Sequence, residues 1–244
     1  VFSVLNNRGL DLLPSDIVKA DVIGRIAPAR QDDFTEKWEE LEVQTGRNGF
    51  NDLFGHIRMI YAREKAKRAL LEEFKEHVLS VVATPEDLIE KVLEPYADSY
   101  LIAKSQQYVS TKNAEDVNRL LKWLNRIDNS DWLPPAILFL SQKKDHPEYV
   151  LWFFTKLERL AAYLHICAKN VNQRIERYAE VIASLQAPHS KDAPAVSVEL
   201  TKAEIDEMKE ALDGKIYELT ARRRNYLILR LDSFLSDGAA TYDP

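Results

Sequence analysis

From Val150 to Leu185, apolar or small residues recur at spacings of four and three without a slip: Val150, Phe154, Leu157, Ala161, Leu164, Ala168, Val171, Ile175, Tyr178, Ile182 and Leu185. Neither glycine nor proline falls inside the run. A strand repeats every second residue, so the pattern is that of a helix. The spacing predicts one long helix over about residues 147–186, starting near Pro147. At 1.5 Å per residue, about 40 residues would span roughly 60 Å. Two shorter helices with a break near Lys169-Asn170 meet the same spacing. Phe153 and Leu160 widen the stripe beyond a two-position seam, which points to the spine of a bundle rather than to a self-paired coiled coil.

The rest of the chain agrees with an all-α fold. Only 7 of its 244 residues are glycine, and the good helix formers Leu, Glu, Lys, Ala and Arg dominate. That composition argues against a sandwich, a barrel or a Gly-rich nucleotide-binding fold. Helix starts are marked by Thr84-Pro85-Glu86-Asp87, by Asn113 with Asp116 and by Thr201 with Glu204, the last two reading as capping boxes. Gly46 is placed to end an acidic helix in a left-handed conformation. Residues 187–200 carry two prolines among small polar residues and read as a linker, where a hinge is expected. Helices are expected after it near 202–212 and 216–236. The expected fold class is an irregular multi-helix bundle with one long helix at 147–186.

Charge narrows the function classes. The net charge is -6, and residues 31–100 alone hold 16 acidic against 9 basic side chains. Such a chain lacks the broad basic footprint of an autonomous DNA binder. Cys167 is the only cysteine, so neither an intrachain disulfide nor a cysteine-based zinc site is available. The most apolar stretch, Trp132 to Leu140, is far shorter than the ~20 residues of a membrane helix and contains Pro134 and Pro135. The opening residues, with Asn6-Asn7-Arg8 close behind, lack the pattern of a secretory leader, and a cytoplasmic location without membrane contact is expected. The start at Val1 and the end at Tyr242-Asp243-Pro244 read as the edges of a piece of a longer protein.

Few residues suggest chemistry. No phosphate loop, nucleophile elbow or His-Glu-x-x-His pair occurs, and neither catalytic nor metal-ligating residues are assigned. His165 and Cys167 stand two apart, on different faces of a helix. The carboxylates Asp32, Asp33, Glu36, Glu39, Glu40 and Glu42 suit a helix start and a solvated face. Arg222-Arg223-Arg224 could contact phosphate or an acidic partner, or form a solvated face. The stretch Phe2–Lys19 reads as a loop followed by a helix, with Gly9 permitting a tight turn and Pro14 setting the first helical turn. Free amides at that helix start, with Asn6 and Arg8 beside them, could receive an anion. Alternatively, Asn6, Arg8 and Asp16 tie the loop to the helix.

The spacing Phe2, Asn6, Arg8, Gly9, Leu12, Asp16, Ile17, Val18, Lys19 resembles the second signature of the GmrSD-like restriction endonuclease family. Trp38, Phe54, Phe74-Lys75 and Arg224–Arg230 sit where such proteins often have similar residues. The family has a ParB/sulfiredoxin-like nucleotide-binding domain, a helical region and a C-terminal HNH nuclease domain. The resemblance implies that residues 1–30 end the nucleotide-binding domain and that 31–186 form the helical bundle. Residues 187–200 would link it to C-terminal helices, 201–244, that lead towards a nuclease domain. It also implies that Asn6, Arg8 and Gly9 edge a nucleotide pocket, with Asp16 and Lys19 supporting loop and helix. Leu13 departs from the family's capping Ser or Thr. Neither the Asp-Gly-Gln-Gln-Arg element of the nucleotide pocket nor an HNH motif occurs in this chain, so no cofactor is expected on this segment itself. A nucleoside triphosphate, a divalent metal and DNA would belong to the full-length protein, a phage-defence nuclease. The alternative is a non-catalytic interaction or oligomerisation module, for which the helical seam and acidic surface suffice.

Overall fold

The computed structural model describes residues 12–187 and 197–236, and every regular element among them is helical. The fold is all-α. Contacts divide the chain into two compact units at Ile102/Ala103, within the stretch read above as a single bundle over 31–186.

The first unit contains α1 (Pro14–Gly24), α2 (Gln31–Thr45), α3 (Arg47–Ala62) and α4 (Leu70–Phe74), which runs on into a π-helical turn, Lys75–Leu79. A short α5 (Pro85–Asp87) leads through π-helical Leu88–Leu93 into α6 (Glu94–Ser105). Residues four and three apart on α2, Phe34, Trp38 and Leu41, are buried, while the carboxylates Asp32, Asp33, Glu36, Glu39 and Glu40 face outward. Trp38 meets Phe50 edge-on at 5.6 Å between ring centroids, and Phe54 lies 4.6 Å from Phe74. The aromatic residues of the family resemblance, Trp38, Phe54 and Phe74, are thus core residues of this unit. Gly46 joins α2 to α3 at φ 73°, ψ 150°. That φ is positive but the ψ is not that of a left-handed helix, and the conformation is one that residues other than glycine adopt only under backbone strain. Thr84 caps α5 as expected, its Oγ1 accepting from the Asp87 amide at 3.1 Å.

The second unit contains α7 (Ala114–Asn125), α8 (Leu133–Lys143), α9 (Pro147–Ile166), α10 (Val171–Gln186), α11 (Lys202–Asp213) and α12 (Ala221–Leu235). Helix α9 is its centre and packs against α7, α8, α11 and α12. Phe153 stacks on Phe139 of α8 at 3.8 Å, with ring planes 2° apart.

The single long helix expected over 147–186 is two helices, α9 and α10, and the local chemistry explains the break. Ala168 takes φ 57°. Its amide bonds to the His165 carbonyl at 3.2 Å, and the Lys169 amide reaches back to Leu164 O at 3.0 Å. These are the two reversed bonds of a Schellman terminus, with alanine where glycine is usual. Asn170 then opens α10: its side chain accepts from the Gln173 amide at 3.1 Å, and Gln173 accepts from the Asn170 amide at 3.0 Å. A left-handed L-residue costs about 1–2 kcal/mol, and glycine loses about 0.4–1 kcal/mol more chain entropy on folding. Ala168→Gly should therefore stabilise the protein by roughly 0.5–1 kcal/mol. A denaturation midpoint no higher than that of the parent would contradict this origin of the break.

Three further expectations change. Asn113 precedes α7 but takes φ 61° and makes no capping bond, because a side chain there is not aimed at the first-turn amides. Asp116 pairs with Arg119 instead. The last helix begins at Ala221, not 216, after a 3-10 turn at Ile216–Glu218. Of the expected linker, 188–196 lie outside the described residues, and 197–200 are fastened to α10. Val198 is buried, and Arg177 donates to the carbonyls of Ser197 and Glu199 at 2.5 and 2.8 Å. The Thr201–Glu204 capping box forms as read.

Candidate functional site

Asn6, Arg8 and Gly9 lie outside the described residues. The two supporting residues of that motif lie on α1. Asp16 accepts from the Leu13 amide at 2.8 Å, so a first-turn carboxylate reaches back to the N-cap amide even though Leu13 has no capping side chain. The same carboxylate receives Arg47 Nη2 of α3 at 2.9 Å and is little exposed. Lys19 pairs with Glu39 of α2 at 2.8 Å. Both residues fix α1 to the helices that follow it, Asp16 at its first turn and Lys19 at its middle.

A second grouping arises where the α9–α10 break faces the start of α12. An open pocket of about 340 Å³ is lined by Asp128, Leu164, His165, Ala168, Lys169 and Arg174, with Asn129 beside them and Thr220, Arg222 and Arg223 opposite. Four permanent cations thus face one carboxylate. Lys169 is engaged by both oxygens of Glu207, at 2.6 and 2.9 Å. Arg174 donates from Nε to Asp131 at 2.6 Å and from Nη1 to the Lys169 carbonyl at 2.9 Å. Asp128 is shared: His165 Nδ1 lies 3.3 Å from one oxygen and Arg222 Nη1 3.3 Å from the other. The Arg222 side chain is 78% exposed. Arg223 has no carboxylate within 4 Å among the described residues. Arg224 turns away and donates to the Tyr217 carbonyl at 3.3 Å. Of the three arginines singled out in the sequence, the fold brings 222 and 223 to the pocket and leaves 224 out.

Burial pushes the His165 imidazole below the usual histidine pKa, helped by the charges of Arg223 and Arg174 and opposed by Asp128. Neutral pH therefore finds it uncharged. Its Nε2 is buried without a hydrogen-bond partner among the described residues. Burial works to raise the Asp128 pKa, but the Arg222 hydrogen bond, the His165 imidazole once protonated at acid pH and the Arg222 charge hold the carboxyl below the usual range. Next to the pocket, burial and Glu207 push the Tyr163 hydroxyl up to about 12, so it remains a donor to Glu207, at 2.7 Å.

Helix α12 is held on the bundle by polar contacts. Buried Glu158 of α9 accepts from the Tyr226 hydroxyl at 3.2 Å and from Arg230 Nε at 3.0 Å. The Tyr226 ring packs edge-on against Trp123 and His165. Several apolar side chains of α12 remain exposed, among them Leu231, Phe234 and Leu235.

Sequence reasoning left His165, Lys169, Arg174, Asp128 and Thr220 out of any site. They come from four separate segments, and the break at Ala168 brings them together. A continuous helix would have no pocket there. Asn170 with Gln173 was the local signal that marks the break. Among the described residues no group of three His, Cys, Asp or Glu side chains could hold a metal ion, and no helix is long and apolar enough to cross a membrane. No protein-family model matches the chain, nor does any curated protein or solved structure in the comparisons made.

Proposed function

We propose that this chain is the helical connector of a nucleotide-dependent restriction endonuclease of the GmrSD-like kind, acting on foreign or modified DNA in the cytoplasm. The observation that carries the reading is the residue pattern from Phe2 to Lys19. In support, Asp16 and Lys19 tie the helix of that pattern to α3 and α2, a positioning role that suits the rim of a nucleotide pocket. In this reading Arg8 offers its planar fork to a phosphate, and Asn6 adds one donor and one acceptor. In the same reading Gly9 would permit a tight turn ahead of α1. The triphosphate, the divalent metal and the nuclease chemistry belong to flanking domains of the full-length protein, which are also the partners of this segment.

Arg8→Ala in the full-length protein should weaken nucleotide binding about tenfold or more, the loss of a charge-assisted fork, and leave the helical circular dichroism unchanged. Unchanged nucleotide affinity would remove Arg8 from the pocket. A second reading, a helical interaction or homo-oligomerisation module, is favoured by the exposed apolar side chains of α12, of which Phe234 is 74% exposed. Sedimentation at several protein concentrations separates the two: self-association with indifference to nucleotide supports the module.

A further inference from the structure

We propose that the pocket between the α9–α10 break and the start of α12 is a binding site for the phosphate of a nucleotide-type ligand. It lies wholly within the second unit, and it does not rest on the nuclease reading or on Arg8.

The first reason is the placement of charge on α12. A helix start carries the positive end of the macrodipole and favours carboxylates. The first turn of this 15-residue helix has no acidic residue and instead carries Arg222, Arg223 and Arg224. Its N-cap, Thr220, makes no side-chain capping bond. Three guanidinium groups at a positive pole oppose helix stability, and among the described residues Arg223 has no carboxylate partner to offset this. Asp128 and the Tyr217 carbonyl engage Arg222 and Arg224, and an arrangement that breaks a local stability rule with only part of it compensated is a mark of a functional position.

The second reason is how the other charges are used. Lys169 and Arg174 are neutralised by Glu207 and Asp131, neither of which lines the pocket. Asp128 has both oxygens turned to His165 and Arg222. On the α12 side the cavity is lined by Thr220, by Arg222, whose head group is 78% exposed and touches Asp128 through one nitrogen, and by Arg223; the first amides of a helix have no intrahelical partner. This is a donor-rich set with little acceptor capacity, and it suits a tetrahedral oxyanion with several acceptor oxygens better than a neutral ligand. The His165 Nε2 adds one more buried polar atom without a hydrogen-bond partner among the described residues, on a ring that lies beside the Arg222 backbone. The volume of about 340 Å³ exceeds a lone phosphate and falls at the lower end of small-molecule sites.

The phosphate could come from a free nucleotide or from a nucleic-acid backbone, and calorimetric titration at low ionic strength distinguishes the sources. Pyrophosphate, ATP and a short DNA duplex would each be titrated into the parent chain, Arg222→Ala/Arg223→Ala and Arg224→Ala. Pyrophosphate should bind the parent and lose at least about tenfold in affinity in the double variant. Arg224→Ala should stay within about twofold, because that side chain bonds to Tyr217 instead. ATP displacing pyrophosphate, with no dependence of DNA binding on the arginine pair, assigns a free nucleotide. DNA binding that needs the pair, with ATP binding no better than pyrophosphate, assigns a backbone phosphate. The double variant should keep the parent's circular dichroism and a thermal midpoint close to the parent's, since relief of repulsion at a helix start offsets the lost exposed contact with Asp128. Absence of phosphate binding in the parent, or equal binding in the double variant, would overturn the proposal.

Discussion

Arg58→Ala is expected to destabilise the first unit by about 3–5 kcal/mol, the usual result of removing one member of a buried ion pair. Arg58 of α3 and Glu73 of α4 meet at 2.5 Å with side chains only 5% and 2% exposed. Arg58 also donates to the Glu64 carbonyl, while Glu73 Oε1 accepts from the amides of Lys67 and Arg68 at 2.5 and 2.6 Å. One buried pair thus organises the whole 63–69 connection. Burial raises the Glu73 pKa, but the two amide bonds and Arg58 overcome this and hold it below the ordinary value of 4.5. A carboxylate held down in the fold contributes stability above its unfolded pKa and loses it as pH falls through the folded value. The gap between parent and Arg58→Ala should therefore be widest near neutral pH and begin to narrow below about 4.5, closing as pH falls through the lower folded value at which Glu73 is neutralised. Urea denaturation at both pH values checks this. Arg58→Lys should recover only part of the loss, because an ammonium cannot span Glu64 O and Glu73 as a planar fork does. A neutral-pH loss under about 1 kcal/mol would place the pair at the surface in solution.

Phe139→Ala should cost the second unit about 3–5 kcal/mol, the range for removing a fully buried phenyl group. Phe139 is completely buried and lies against three rings: stacked on Phe153, and edge-on to Tyr149 at 5.0 Å and Phe154 at 6.4 Å. All three partners belong to α9, so the cavity would open where α8 joins the central helix. Phe139→Leu refills most of that space and should lose less than half as much. Equal losses for the two variants would show that volume is not what the site requires.

Helical content was legible in the sequence because it rests on local rules. The alternation of four and three along 150–185 is real, and Val150, Phe154, Leu157, Tyr178, Ile182 and Leu185 are all buried. Periodicity alone did not distinguish one helix from two, since the chain keeps nearly the same register across the turn at Cys167–Asn170. The stop is a backbone event at Ala168, a residue whose type favours helix. Asn113 shows the converse, a good capping residue by type that takes a backbone conformation in which it cannot cap. The division at Ile102/Ala103 is set by long-range packing of Trp38, Phe50, Phe54 and Phe74, which no window of sequence displays. The site was legible only in fragments. Arg222 and Arg223 stood out as a charge run, but His165, Lys169 and Arg174 join them through the fold, and each alone resembles an ordinary surface or core residue.

The measurement that bears most directly on the connector reading is the complete reading frame of the source gene on both sides of this segment. The reading predicts an Asp-Gly-Gln-Gln-Arg element upstream of Val1 and a His-plus-Asn nuclease motif downstream of Pro244. A frame that begins and ends close to those residues, with neither element, would contradict it and leave a helical interaction module in its place.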